Sequence, residues 1–290
     1  MGLCEAMNYS FESPKVFDKL NIPENSDLRK TVKISNPLGE DFSIMRTLTL
    51  NGMLTSLATN FKRHRNEAAG LFEIGKIYIP KALPLTELPD ELPKLTIGMF
   101  GQDVDFFTVK GIVEELFGVL GITGAEYSAN KELPYMHPGR TADIALNSEN
   151  IGFVGQLHPS VADAYGIGTE VYIAVVDVNT LVKNANFDHI YKALPKFPAV
   201  ERDIAMLVKD EIPVKEIEAV LREKGGKFLE DIKLFDVYKG KQIEAGFKSV
   251  AYSLFFRAPD KTLTDEEIGS PMKKILSELE EKLGAKLREQ

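Results

Sequence analysis

Hydroxyl, aromatic and basic side chains occur together near residue 250, where the sequence reads FKSVAYSLFFR. If this run is a β-strand, its residues alternate between two faces, and one face carries Ser249, Ser253 and Phe255. The run contains Lys248 and Arg257 but no acidic residue. Such a face can bind unpaired RNA, because a base stacked on an aromatic side chain contributes about 1–3 kcal/mol. Aromatic residues in strands with this alternation can also be packed in a core, which is the alternative interpretation.

Other residues with catalytic or metal-binding side chains lack the companions that such chemistry requires. His137 and His158 each precede a proline, and neither has a Cys or an acid at metal-ligand spacing. Asp103 and Asp105 lie near a predicted helix start, where carboxylates offset the helix dipole. Ser160 lies in no Gly-x-Ser-x-Gly motif and has no evident base. We therefore expect neither a metal site nor an acyl-transfer site.

The elements predicted after residue 200 follow the order βαββαβ. The strands are predicted over 201–208, 229–238, 247–257 and 285–288, and the helices over 213–224 and from Thr264 onward. This order is typical of the ferredoxin-like arrangement, in which both helices cover one face of the sheet and leave the other face open. Gly269-Ser270-Pro271 predicts a break in the last helix and a restart capped by Ser270, because proline removes a helical hydrogen bond.

The preceding part of the chain predicts an α+β domain with a largely antiparallel sheet. Its apolar spacing indicates helices over 50–61 and 109–120. Strands are expected over 71–79, which should be buried, and over 95–101, 141–147, 151–156 and 170–178. The prolines at positions 80, 84, 89 and 93 predict a loop before residue 95, and residues 147–150 predict a hairpin turn.

Composition and charge limit the classes of protein to which the chain can belong. Its 290 residues have a formal net charge of -8, so only a local surface could bind nucleic acid. The single cysteine, Cys4, excludes a disulfide framework and favours a cytoplasmic setting, and no apolar run is long enough for a membrane helix. A change in composition places a domain boundary near residue 190, giving domains 1–190 and 191–290. The opening residues suggest a fragment of a longer polypeptide.

Several sequence blocks resemble one known family. After residue 193, LPKFPAVERDIAMLV, KLFDVYKG, KSVAYSLFFR, KTLTDEEI and LGAKLRE resemble the ferredoxin-fold anticodon-binding domain of the bacterial phenylalanine–tRNA ligase beta-subunit family. Upstream, MNYSF, NPLGEDFSIMRTLTLNGMLTSLATNFKR, LFEIGKIY, HPGRTADI and IGFVGQLHP resemble the core of the same subunit, which has the class II synthetase fold but is not catalytic. The resemblance covers essentially the whole chain.

The resemblance implies a subunit that supports a catalytic partner. ATP and Mg²⁺ would serve the assembled α2β2 enzyme, whose other components are an alpha subunit and tRNA(Phe), with no DNA and no membrane. Arg65-Asn66-Glu67 matches a class II Arg-x-Glu motif, but it is also typical of a solvated charge cluster, and no arginine follows a Gly-x-Gly site such as Gly166-Ile167-Gly168 at the expected spacing. We therefore expect the isolated chain to be inactive. Two alternatives are an active single-chain class II ligase and a free-standing RNA-binding paralogue.

Residues for tRNA contact follow from the family blocks combined with the open-face argument. Tyr238 ends one predicted strand and Ser249 begins the next, so both can lie on one face as a seat for an anticodon base. Phe235 is a weaker candidate, since with Val237 it fits the core face equally well. The cations nearby that are expected to contact phosphate are Lys248, Arg257, Arg202 and Arg288.

Overall fold

The computed structural model describes residues 2–63, 67–188, 190–191, 193–240 and 243–287. The chain divides into two compact units, Met1–His189 (unit 1) and Ile190–Gln290 (unit 2). The boundary predicted near residue 190 lies at this division. Both units combine helices with antiparallel strands, which confirms the α+β class.

Unit 1 is built around one large sheet. The strands of unit 1 are β1 (Cys4–Glu5), β2 (Phe11–Glu12), β3 (Ile44–Met45), β4 (Ala68–Ile79), β5 (Asp90–Gly101), β6 (Glu126–Ala129), β7 (Met136–Leu146), β8 (Glu149–Leu157) and β9 (Tyr172–Asp177). Strands β2 and β3 pair only with each other, and the other seven form the large sheet. Its helices are α1 (Val16–Lys19), α2 (Leu50–Arg63), α3 (Phe106–Val119), α4 (Pro159–Tyr165) and α5 (Val178–Asn184), with 3-10 turns at Asp27–Arg29 and Glu40–Phe42. The sheet order is β1-β4-β5-β9-β8-β7-β6, and the pairing is antiparallel except between β1 and β4.

Alternation along the strands of this sheet gives it two buried faces. On β5, Phe100 packs in the core that includes Met53 and Leu57 of α2. Ile97, which points to the opposite face, packs in a second core with Val109 of α3. The apolar stripes that predicted α2 and α3 are therefore the surfaces that cover the sheet.

Two predictions about the strands of unit 1 need correction. The loop predicted before residue 95 is wrong at its end, because β5 begins at Asp90 and includes Pro93. Pro93 pairs with Lys76 of β4. The pairing of β5 with β9 begins one residue later, at Lys94, so the missing N–H of Pro93 interrupts no bond to β9. The strand predicted over 71–79 is present within β4, but the expectation that it is buried is wrong, since Ile74 is 60% exposed.

The β7–β8 hairpin is confirmed, with a tighter turn than predicted. The turn consists of Asn147 and Ser148, and Glu149 already belongs to β8. Both turn residues have positive φ, 51° and 67°. This is the backbone twist that two-residue hairpins require, and Asn tolerates it well.

Unit 2 has the predicted ferredoxin-like order. It contains β10 (Val200–Lys209), α6 (Val214–Lys224), β11 (Leu229–Tyr238), β12 (Phe247–Phe256), α7 (Asp265–Leu283) and β13 (Lys286–Leu287). Its sheet order is β11-β12-β10-β13, and every pairing is antiparallel. Apolar residues of α6 and α7 form a single core with one face of this sheet.

The predicted break in the last helix is wrong. Helix α7 is continuous from Asp265 to Leu283 and contains Pro271. A capping box between Thr264 and Glu267 fixes its first turn, and Ile268 and Ile275 are buried on either side of the proline. These contacts hold the helix in place, so the cost of one lost hydrogen bond does not split it.

Candidate nucleic-acid interface

Tyr238 and Ser249 face each other across two paired strands of unit 2. Tyr238 is the last residue of β11, and its register partner on β12 is Ser249. Residues directly opposite in an antiparallel pair point to the same face, with Cβ atoms roughly 5 Å apart. The tyrosine is 39% exposed and the serine is buried. The structure therefore brings these two predicted residues together on one surface.

Gly240 shapes the surroundings of Tyr238. A Cβ atom added at Gly240 would lie 2.2 Å from the Tyr238 Oη atom and 2.4 Å from its Cζ atom. The aromatic ring therefore passes directly over this glycine, and any larger residue would push the ring away. The small residue after β11 determines where the ring lies.

The face that carries Tyr238 contains acids that the sequence of β12 does not reveal. Alternation along β12 is confirmed, because Tyr252 and Leu254 belong to the core shared with the helices and Ala251 and Ser253 do not. On the opposite face, the neighbouring strands contribute acidic register partners, which are Glu201, Asp203, Asp231 and Asp236. The Ser253 hydroxyl donates to Asp203 at 2.6 Å, so at least one acid contacts the floor of the face directly. The face of the sheet is therefore polar and carries several negative charges.

Lys248 does not lie on this face. Its register partner on β10 is Val208, which is fully buried, so the lysine points toward the core side. Its ammonium group donates to the carbonyl oxygens of Asp210 at 3.1 Å and Ile212 at 2.6 Å. Burial lowers the pKa of this ammonium group. Lys248 thus anchors the turn between β10 and α6, away from Tyr238 and Ser249.

The two described arginines of the prediction lie elsewhere in unit 2. Arg202 pairs with Leu254 on the helix side of the sheet and forms an ion pair with Asp265 of α7. Arg257 follows β12 at the end remote from Tyr238, where its Nε donates to Glu230 at 2.7 Å and its Nη1 donates to the Phe197 carbonyl at 2.5 Å. Arg288 is outside the described residues. The predicted arginines that the structure describes are thus not grouped around the tyrosine.

Phe235 and Val237 are more exposed than a core position would be. Phe235 lies at a register irregularity between Leu234 and Asp236 and is 52% exposed, and Val237 is 45% exposed. Both belong to β11, the edge strand of the sheet. Val237 is the register partner of the core-facing Val250, so it lies on the face opposite that of Tyr238.

His137, His158 and Asp105 form local hydrogen bonds in turns and helix caps. His158 caps α4, and its Nδ1 atom also lies 2.8 Å from the Ser160 hydroxyl, so the expectation that Ser160 has no neighbouring base is wrong. That pairing belongs to the helix cap, since the same nitrogen accepts the Ser160 backbone N–H. The His137 ring accepts the Gly139 N–H in a local turn. Asp105 caps α3, as predicted from its position.

Within the described ranges, no group of three or more His, Cys, Asp or Glu side chains is arranged to hold a metal ion. Arg65 and Asn66 of the predicted Arg-x-Glu motif lie outside the described residues. No helix in the described part of the chain is both long enough and apolar enough to cross a membrane.

A buried polar cluster in unit 1 was missed by sequence reasoning. Arg46 and Glu73 form an ion pair at 2.8 Å with side chains only 3% and 4% exposed. Asn8 donates to the other Glu73 carboxylate oxygen at 2.8 Å. Glu12 is buried nearby, and desolvation raises its pKa to about 7 against the opposing hydrogen bond from Asn51. The available signal was the presence of charges inside the apolar runs SIMRTLTL and LFEIG.

Comparison with known proteins agrees with this two-unit architecture. Residues 1–178 match the family described as phenylalanyl tRNA synthetase beta chain CLM domain. The chain belongs to the phenylalanine–tRNA ligase beta-subunit family. Residues 195–288 match the ferredoxin-fold anticodon binding domain, which is the part of the chain that carries Tyr238 and Ser249.

Relatives with high identity support the same family. The chain is 52% identical over 287 residues to the phenylalanine–tRNA ligase beta subunit of Clostridium tetani and 50% identical to that of Clostridium acetobutylicum. It is 38% identical over 295 residues to the beta subunit of Moorella thermoacetica. Each match covers 99% of this chain but only 36% or 37% of the relative. The chain therefore spans about a third of the length of these curated relatives.

Proposed function

We propose that this chain acts as part of a phenylalanine–tRNA ligase beta subunit in which unit 2 binds the anticodon of tRNA(Phe). The observation that carries the proposal is that the partly exposed Tyr238 lies opposite the buried Ser249 on the sheet face not covered by α6 and α7, in a domain that matches an anticodon-binding family. The names of the relatives favour this role over a free-standing RNA-binding paralogue. The setting of this activity is the cytoplasm, where translation occurs.

An aromatic ring beside a hydroxyl group can bind one unpaired base in two ways. The exposed part of the Tyr238 ring offers a stacking surface worth about 1–3 kcal/mol, which any base can use. The Ser249 hydroxyl can donate and accept a hydrogen bond, so it can read one edge of the stacked base. Gly240 keeps the ring in position for that contact. Of the predicted residues, Tyr238 and Ser249 carry the base contact in this proposal.

Unit 1 acts in this proposal as a non-catalytic class II-like core that supports a separate alpha subunit in an α2β2 assembly. Phenylalanine activation with ATP and Mg²⁺ then belongs to the alpha subunit. The sequence supports this division of labour, because no arginine follows its Gly-x-Gly sites at the spacing expected for the second phosphate contact. The names of the relatives as beta subunits agree with it.

Two assays on the purified chain test the proposed function. The affinity for tRNA(Phe) is compared with the affinity for the same tRNA carrying a substituted anticodon, and we expect tighter binding of the natural anticodon. Equal affinities would contradict anticodon recognition. ATP–pyrophosphate exchange with phenylalanine should remain at background for the chain alone, and robust phenylalanine-dependent exchange would overturn the non-catalytic role.

A further inference from the structure

A basic cavity lies at the end of unit 2 that is remote from Tyr238. Its volume is about 520 Å³, and its lining includes Lys196, Lys227, Phe228, Glu230 and Arg257. Lys227 and Phe228 directly precede β11, Glu230 belongs to β11 and Arg257 directly follows β12. Lys196 comes from the segment before β10. We call it the end cavity.

The charges that line the end cavity are mainly positive. Three cations lie beside one carboxylate, and that carboxylate is already bound by the Arg257 Nε atom at 2.7 Å. Lys196 and Lys227 are exposed, and neither forms an ion pair with a residue in the described ranges. The Lys227 ammonium group lies 4.7 Å from the centre of the Phe228 ring. The cavity therefore presents two lysines and a positioned guanidinium to a ligand, next to an aromatic surface.

The sheet face that carries Tyr238 is lined by acids, whereas the charges of the end cavity are mainly positive. Asp203 contacts the floor of the face, and Asp236 and Glu201 belong to its flanking strands. Phosphates of a bound RNA are repelled by these carboxylates, so the backbone favours a path that avoids them and reaches the cations at the strand ends remote from Tyr238. Lys and Arg side chains are the usual partners of such phosphates.

We propose that the end cavity binds backbone phosphates of the same RNA whose unpaired base lies on Tyr238. This inference rests on the proposed function, since it concerns how unit 2 holds its RNA. Tyr238 follows Glu230 by eight positions along β11, which corresponds to about 26 Å at the rise of an extended strand. The phosphates in the end cavity therefore belong to nucleotides several positions from the base on Tyr238, toward the stem.

The test compares two double variants of the chain. Lys196→Ala with Lys227→Ala removes the two unpaired cations of the end cavity. Lys273→Ala with Lys274→Ala removes two exposed lysines from α7 and changes the net charge equally. All four side chains are exposed, so both variants should keep the circular dichroism spectrum of the wild-type chain. Affinity for a tRNA(Phe) anticodon stem-loop is then measured as a function of salt concentration, with Tyr238→Ala in parallel.

The expected result is specific to the end cavity. Its double variant should lose about 1.4–1.8 from the slope of log affinity against log salt, since each of its two lost phosphate contacts contributes about 0.7–0.9. The α7 variant should keep the wild-type slope, and Tyr238→Ala should lose affinity with an unchanged slope. An unchanged slope in the end-cavity variant, with Tyr238→Ala still weakened, would overturn this inference and leave the proposed function intact.

Inorganic phosphate distinguishes RNA from a free anion as the occupant. If millimolar phosphate displaces the stem-loop from the wild-type chain and abolishes the difference between the variants, the end cavity is a site for a free anion and the assignment to RNA is overturned. If RNA binding persists in millimolar phosphate with the slope difference retained, the assignment is supported. Absence of wild-type binding at 50 mM salt, where phosphate contacts are strong, would contradict both the inference and the proposed function.

Discussion

Arg46 donates through Nη1 to Glu73 at 2.8 Å, and both side chains are almost completely removed from solvent. Arg46 directly follows β3, and Glu73 belongs to β4, 27 positions later in the chain. Gly75 makes room for the pair, because a Cβ atom there would lie 2.1 Å from the Arg46 Nη2 atom. The ion pair ties the N-terminal segments of unit 1 to its sheet.

Replacing Arg46 with methionine should strongly destabilise unit 1. The substitution leaves the Glu73 carboxylate buried with Asn8 as its remaining partner, and breaking such a buried pair typically costs about 3–5 kcal/mol. Chemical denaturation of the wild-type chain and the variant measures the loss. The double variant Arg46→Met with Glu73→Gln should recover part of the stability. A loss below 1 kcal/mol in the single variant would show that the pair contributes little.

Glu12 should make the stability of unit 1 depend on pH. Its pKa in the folded chain is raised to about 7 by desolvation, above the ordinary value of 4.5. Between these two values the folded state holds a proton that the unfolded state has released, so stability decreases as pH rises through this window. The decrease should be on the order of 3 kcal/mol and should be absent from Glu12→Gln. The free energies of unfolding of both proteins at pH 4.5 and pH 8 measure it, and a constant difference between them would contradict the prediction.

Gly240→Ala should weaken tRNA binding without unfolding unit 2. The new Cβ atom must displace the Tyr238 ring from its position, so the loss should be smaller than the full stacking energy of about 1–3 kcal/mol. Gly269→Ala is the matched control, because nothing lies within 4 Å of a Cβ atom there and the position is inside α7. The control should be neutral or stabilise by up to about 1 kcal/mol, as alanine favours a helix. Equal affinity of Gly240→Ala and the wild type for tRNA(Phe) would contradict a role of Gly240 in positioning Tyr238 for tRNA binding.

The sequence predicts the elements of unit 2 well because each has a local signal. The alternation of Tyr252 and Leu254 with small residues marks β12, and the capping box at Thr264 marks the start of α7. The helix break predicted at Pro271 is wrong, since burial of the flanking residues by tertiary contacts outweighs the local helix-breaking tendency of proline.

The surroundings of the candidate site were less predictable than its two central residues. Tyr238 and Ser249 could be paired from the sequence because a short connection joins their strands. The acids on the same face could not be placed there from the sequence, because register irregularities in β11 decide which side of the sheet Asp231 and Asp236 occupy. The anchoring of Lys248 by two backbone carbonyls depends on a turn from another strand, and no local pattern marks it.

The most direct test measures the affinity of the wild-type chain, Tyr238→Ala and Tyr238→Phe for tRNA(Phe). It tests the central claim that an anticodon base stacks on Tyr238. Phenylalanine keeps the stacking surface, so Tyr238→Phe should bind nearly as tightly as the wild type. Tyr238→Ala should lose about 1–3 kcal/mol of binding free energy, the contribution of one stacked base. Wild-type affinity in Tyr238→Ala would contradict the account.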